Sequence, residues 1–209
     1  MNVLAIGAHF DDIELGCSGS LRRHVENGDK VILYVATQSG FISPDQITIR
    51  SNEEAQAEGK KAAELIGGTL VCGGFETLKL EFEDALNAQL VHLIEQEKID
   101  LIYTHYKDDV HHDHAALAKA SLHAGRHVPR ILMYHSNWYQ SDVRFTPDFY
   151  QDITDTWNVK EAVIKAHRSE YERVGDAWVE YFRKDAENNG YACGVSLAEG
   201  FRCVKWLWA

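Results

Sequence analysis

Nowhere does the sequence run to 18 consecutive apolar residues, and no basic segment precedes the short apolar run Val3-Leu4-Ala5-Ile6-Gly7. A membrane-spanning helix needs about 20 apolar residues, and a secretory leader needs a basic start. The expectation is therefore a soluble, cytoplasmic protein. Cysteine is scarce as well. Cys17, Cys72, Cys193 and Cys203 make no CxxC pair, which argues against a disulfide scaffold and for reduced, mostly buried thiols. Lys and Arg gather into no stripe, and the formal net charge is -11. Nucleic acid and anionic membranes are thus poor partners. Internal repeats, low-complexity stretches and linkers are missing too, and Ser39-Gly40 lacks the glycine pattern and lysine of a phosphate loop.

What remains is an ordinary globular composition, 45% hydrophobic and 25% charged over 209 residues. That length fits one domain, 1–209, with 136–209 supplying a substrate loop, helices and a final strand. Short apolar runs at Val3–Gly7, Val31–Ala36, Leu70–Cys72, Leu101–Thr104 and Ile131–Tyr134 read as strands buried on both faces. Between them, 13–26, 49–66, 83–97 and 112–124 read as helices. In the third, Leu86, Leu90, Leu93 and Ile94 share one face. Residues 157–188 read as one or two charged helices and 201–208 as a last strand. The alternation predicts an α/β fold, a Rossmann-like three-layer sandwich whose mostly parallel sheet is flanked by helices.

Such sheets bind ligands at the carboxyl ends of their strands. Two polar clusters follow directly after predicted strands: His9-Phe10-Asp11-Asp12, and His105 through His114, which holds four histidines and three aspartates. The first, taken alone, is explained equally well by carboxylates capping a helix. The second places His111 and His114 at i, i+3 on one face of a helix start, and histidine is the commonest metal ligand. A shared rim makes the two clusters one candidate metal site. The loop 37–44 falls on the same rim, and 136–149 reads as a wall or lid. His105 reads as a structural, hydrogen-bonding histidine and Cys17 as core. Trp157, Trp178, Trp206 and Trp208 read as core or interface anchors. Trp138 and Tyr139 are the candidates for stacking on a sugar, and His135 is a candidate wall residue.

The run Ala8-His9-Phe10-Asp11-Asp12 followed by Glu14-Leu15-Gly16-Cys17, together with His111-His112-Asp113-His114, resembles the two motifs of the LmbE-like or PIG-L-type N-acetylglucosaminyl deacetylases. Arg50, Glu53, Ala62-Ala63 and Leu65-Ile66-Gly67 extend the resemblance, as does Ala198-Glu199-Gly200-Phe201 near the end. Phe10 and His112 stand where the family motifs carry proline. The resemblance implies a metal-dependent hydrolase that removes an acetyl group from an amino sugar or its conjugate. It implies Zn2+, or another divalent ion such as Fe2+, on His9, Asp12 and His114. It also implies Asp11 as general base, His111 as oxyanion stabiliser and Asp113 as its tuning partner. Arg50, His135 and Trp138 are the candidates for substrate binding. The expected partner is a small N-acetylated sugar, and assembly of identical copies is compatible with the family. Two other classes fit the same residues: a non-haem iron oxygenase, with its two histidines and one carboxylate, and a sugar-binding relative that has lost turnover.

Overall fold

Val3 and Ala5 pack on one side of the first strand, Leu4 and Ile6 on the other, and all four are fully buried. A strand covered on both faces belongs in the middle of a layered α/β structure. The computed structural model, which describes residues 1–208, has that architecture. In chain order the strands are β1 (Asn2–Gly7), β2 (Lys30–Thr37), β3 (Phe41–Ile42), β4 (Thr48–Arg50), β5 (Thr69–Phe75), β6 (Leu101–His105), β7 (Arg130–Tyr134), β8 (Phe149–Asp152) and β9 (Ala198–Trp206). Seven of them form one sheet in the order β5-β2-β1-β6-β7-β9-β8. The first five of that order run parallel, and β9 and β8 complete the edge antiparallel.

On one face lie α1 (Asp12–Glu26), α2 (Asn52–Ile66) and α5 (Trp157–Ala166); on the other lie α3 (Asp84–Glu97) and α4 (His112–Ala124). The chain winds from β1 outward to β2 and β5, then returns to β6 on β1's other side. That reversal opens a crevice at the carboxyl ends of β1 and β6. Both polar clusters emerge there.

Several details depart from the sequence reading. The second helix starts at Asn52 rather than residue 49, because Thr48–Arg50 pairs with Phe41–Ile42 as a small hairpin and Ser51 caps the helix through Glu54 N–H. Residues 157–193 form three helices, α5, α6 (Arg168–Val174) and α7 (Ala177–Cys193), instead of one or two. Of the four free thiols only Cys17 is fully buried, while Cys193 is exposed. Trp157 and Trp178 are core, whereas Trp208 is 87% exposed. Among the described residues no helix is long and apolar enough to cross a membrane.

Two devices draw α1 onto the sheet. Gly16 lets it approach Tyr134, whose ring would lie 2.1 Å from any Cβ there, and the Tyr134 hydroxyl donates to the Ile6 carbonyl at 2.7 Å. The second device is a buried ion pair. The Lys160 ammonium on α5 donates to Glu199 Oε1 (2.6 Å) and to the Leu15 carbonyl (2.6 Å). Glu199 on β9 also accepts from the Gly19 and Ser20 amides of α1. Both side chains are almost wholly buried, so each charge depends on the other. Glu199→Ala strands the ammonium and should destabilise the fold by about 3–5 kcal/mol in denaturant titration. Replacing both charges with apolar residues of similar volume should cost less. An equal or larger loss in the double variant would remove the pairing as the cause.

Candidate active site

β1 ends at Gly7, and the backbone then turns sharply before α1 begins. Asp11 occupies the N-cap position of α1 with φ 136° and makes no side-chain capping bond. Simple helix capping therefore does not account for it. A non-glycine residue at such an angle stores on the order of 1–3 kcal/mol and persists only where its surroundings impose it. Those surroundings are visible. The Phe10 N–H donates to Ser39 Oγ (2.9 Å), and the Phe10 carbonyl accepts from Arg50 Nη1 (2.9 Å). The Phe10 ring is buried against α2 at Gly59, where a Cβ would sit 2.2 Å from it. Proline at position 10 would supply no N–H, so Phe10 secures the turn by a bond that proline cannot make.

The crevice brings His9, Asp12 and His114 together. His114 Nε2 lies 3.3 Å from His9 Nδ1 and 3.2 Å from Asp12 Oδ1, and His9 Nδ1 lies 3.3 Å from Asp12 Oδ2. Ligands about 2.1 Å from one ion at tetrahedral angles stand about 3.4 Å apart, and each pair among the three residues meets that spacing, Asp12 turning Oδ1 to His114 and Oδ2 to His9. Donor atoms of His9, His111 and His114 also converge within 4.8 Å, as do those of Asp12, His105 and His114. His105, however, uses Nε2 to accept the Ala8 N–H (3.0 Å), which makes it a backbone brace stacked on His114.

Each of the two histidines is held from behind. His9 Nε2–H donates to Asp113 Oδ2 (2.9 Å), and His114 Nδ1–H donates to Asp109 Oδ2 (3.2 Å). A carboxylate behind an imidazole fixes its tautomer and leaves the opposite nitrogen free for a metal. Asp113 is itself fixed by the Leu78 and Leu80 amides (2.8 and 3.0 Å). Its carboxylate thus orients His9, whereas His111 meets only its backbone, the Asp113 N–H donating to His111 Nδ1 (3.2 Å). Asp12 accepts from Ser136 Oγ (2.9 Å) and from the His9 amide (2.7 Å). His112 turns outward and donates to the Leu78 carbonyl at 2.8 Å.

Charge follows from this packing. Burial opposes protonation of His9, but Asp113 and Asp12 outweigh it and raise the group to about 9. Burial likewise opposes charge on His114, and Asp12 and Asp109 lift it to about 10. Burial alone would raise Asp12, yet His114 and His105 hold it well below the usual carboxylate range. For Asp11, burial and the neighbouring Asp12 raise the carboxyl to about 7, against the pull of Arg50. Burial and the charge of His114 push His111 down to about 4.

The other expected residues are placed more loosely. Arg50 is buried, its terminal nitrogens engaged with Phe10, Glu58 and His167, and it approaches Asp11 to 3.9 Å. His135 stacks on Phe145 and lines a cavity of about 170 Å³ with Tyr106, Asp109, Tyr139 and Asp185. Trp138 packs edge-on against Tyr181, and it is its neighbour Tyr139 that faces the cavity. The sequence reading assigned no role to Asp109, Ser136 or His167. Asp109 sits inside the histidine-rich run and was within reach; isolated Ser136 and His167 carry no such signal.

A sequence model of the PIG-L family, described as GlcNAc-PI de-N-acetylase, matches residues 4–125. The chain is 33% identical over 183 residues to the uncharacterized deacetylase YaiS of Escherichia coli (strain K12), covering 80% of this chain and 90% of that one. Among solved structures, the N,N'-diacetylchitobiose deacetylase of Pyrococcus horikoshii superposes with a TM-score of 0.84 at 20% identity, over 97% of this chain and 83% of that one. The 4-carboxy-2-hydroxymuconate hydratase GalB of Pseudomonas putida KT2440 superposes at 0.79 with 16% identity, over 100% of this chain and 98% of that one. The shared fold therefore does not by itself select the reaction. The family match spans more than half of the sequence, and the identity to YaiS extends over most of it: the chain belongs to the PIG-L (GlcNAc-PI de-N-acetylase) family.

Proposed function

We propose that the chain is a metal-dependent N-deacetylase that hydrolyses the acetamide of an N-acetylated amino sugar or sugar conjugate. One observation carries the reading: three donors spaced for a single ion, with the buried Asp11 carboxyl beside them and outside the donor set. The family description supports the substrate class, and the deacetylase name of YaiS supports the reaction. Two nitrogens and one oxygen suit Zn2+, and Fe2+ tolerates the same set.

His9, Asp12 and His114 hold the ion, which when bound supplies Lewis acidity and eases ionisation of water. Asp11 takes a proton from the attacking water as general base. His111 accepts at Nδ1 from Asp113 N–H, so its neutral ring keeps a proton on Nε2 and donates to the developing oxyanion without needing a charge. Asp11 returns its proton to the leaving nitrogen as the C–N bond breaks, giving acetate and a free amine. Tyr139, Tyr106 and His135 line the adjacent cavity as apolar faces for a sugar ring.

Acetate release from a panel of N-acetylated sugars should require metal, vanish on chelation and return when Zn2+ is restored. Asp11→Asn should retain the metal and lose about 10²–10⁴-fold in kcat, while His114→Ala should lose the metal as well. Turnover in fully chelated protein, or undiminished turnover in Asp11→Asn, sinks the proposal.

Acidity supplies a second check. A general base works only when ionised, and a nearby cation can only lower Asp11 from about 7. The rate should therefore fall with decreasing pH on a limb at or below about 7, and a flat profile there would contradict the role.

The third check needs no substrate. His9 and His114 favour protonation up to about 9 and about 10 without metal, whereas a ligand nitrogen must be unprotonated. Metal binding at neutral pH should release protons, and affinity should rise with pH. Calorimetry in buffers of different ionisation heat measures this; pH-independent affinity without proton release would exclude the assigned ligands.

A further inference from the structure

Behind Asp11, on the side away from the three donors, lies a row of buried polar groups that the proposed chemistry leaves unused. Arg50 stands nearest, with Nη1 3.9 Å from Asp11 Oδ2 and 2.9 Å from the Phe10 carbonyl. Its Nε is buried without a partner, so the guanidinium is oriented only from its two ends. Nη2 donates to Glu58 (2.8 Å) and faces His167 Nδ1 at 3.3 Å. Glu58 is anchored in turn by the Ser169 amide and hydroxyl (2.7 and 2.8 Å).

His167 occupies the junction between α5 and α6 and is fully buried. An arginine only donates, so the contact at Nδ1 is a hydrogen bond when that nitrogen is unprotonated. The ring proton then sits on Nε2, which lies 3.4 Å from Glu14 Oε1 without completing a hydrogen bond. The order across the row is Glu14 carboxylate, His167, Arg50, then the turn that carries Asp11. Glu14 is two residues beyond Asp12 on α1, so the row runs from that helix through a junction more than 110 positions along the chain from Arg50 and back to the turn before α1. The Asp11 turn holds a φ of 136° against its own preference, and such a conformation needs outside constraint.

We propose that His167 is a positioning residue for Asp11: buried beside Glu14, it fixes Arg50 through Nδ1, and Arg50 fixes the strained turn that aims the Asp11 carboxyl at the donor site. The assignment rests on the reading of Asp11 as general base. His167 touches neither the donors nor the cavity that borders them.

The test compares His167→Leu, which removes both contacts, with His167→Gln, whose amide keeps one acceptor and one donor. In the zinc-loaded protein, His167→Leu should lower kcat by about 10- to 100-fold, the range for partners that orient a reacting site. KM and bound zinc should stay at the native values, and His167→Gln should recover most of the loss. A crystal structure of His167→Leu should show Arg50 withdrawn from Asp11 and the Asp11 turn relaxed. Native kcat in His167→Leu, an equal loss in His167→Gln, or loss of zinc alongside activity would overturn the proposal. Should His167→Leu fail to fold, His167→Asn replaces it: its shorter amide spans only one of the two partners, so it must show the loss that His167→Gln avoids. If the native protein releases acetate from no substrate, the deacetylase reading falls, while the crystallographic comparison still decides whether His167 holds Arg50 and Asp11.

Discussion

Three electron-pair donors from two distant parts of the chain are crowded into one buried crevice, and much of the surrounding structure answers to that crowding. In a low-dielectric site, polar groups so close together and without an ion need partners on every remaining side. Each has one. Asp113 and Asp109 take the outward nitrogens of His9 and His114, Ser136 and a backbone amide take Asp12, and His105 braces the neighbouring Ala8 amide. The loop that ends β5 is pinned as well, since the Leu78 and Leu80 amides serve Asp113. The donor cluster thus fixes the path of a loop that meets it only through Asp113.

Asp11 is the exception in this scheme. It is not locked by a capping bond, and its backbone angle is unfavourable. Its geometry is imposed by neighbours: Ser39 on the Phe10 amide, Arg50 on the Phe10 carbonyl, and a missing side chain at Gly59 that admits the Phe10 ring. Phenylalanine in place of the family's proline thereby becomes intelligible. The stiffness of a ring closed on the backbone is exchanged for packing and one added hydrogen bond.

The sheet was legible because β1, β2, β6 and β7 are buried on both faces, so their apolar runs are unbroken and the intervening helices carry clear periodicity. The small hairpin Phe41–Arg50 and the strand Phe149–Asp152 were not. They are short, partly exposed, and exist through pairing with a neighbour rather than through their own pattern. In the site, the spacing of His111 and His114 announced their common face, and their rings do stack, 4.5 Å apart. What Asp113 grips could not be read, because its partner is 104 residues away and its other contacts are backbone amides. Trp138 and Tyr139 are interchangeable on paper; only the packing of Tyr181 decides which of them faces the cavity.

The Lys160–Glu199 pair has a consequence for the order of assembly. Every residue of the donor cluster and its immediate partners has been synthesised once Ser136 is added. Yet α1, which begins at Asp12, still awaits the ammonium of Lys160 and the carboxylate of Glu199. The nascent chain therefore carries the whole donor cluster before it has the means to fasten the helix that bears Asp12, and that fastening waits for β9, which pairs beside β7.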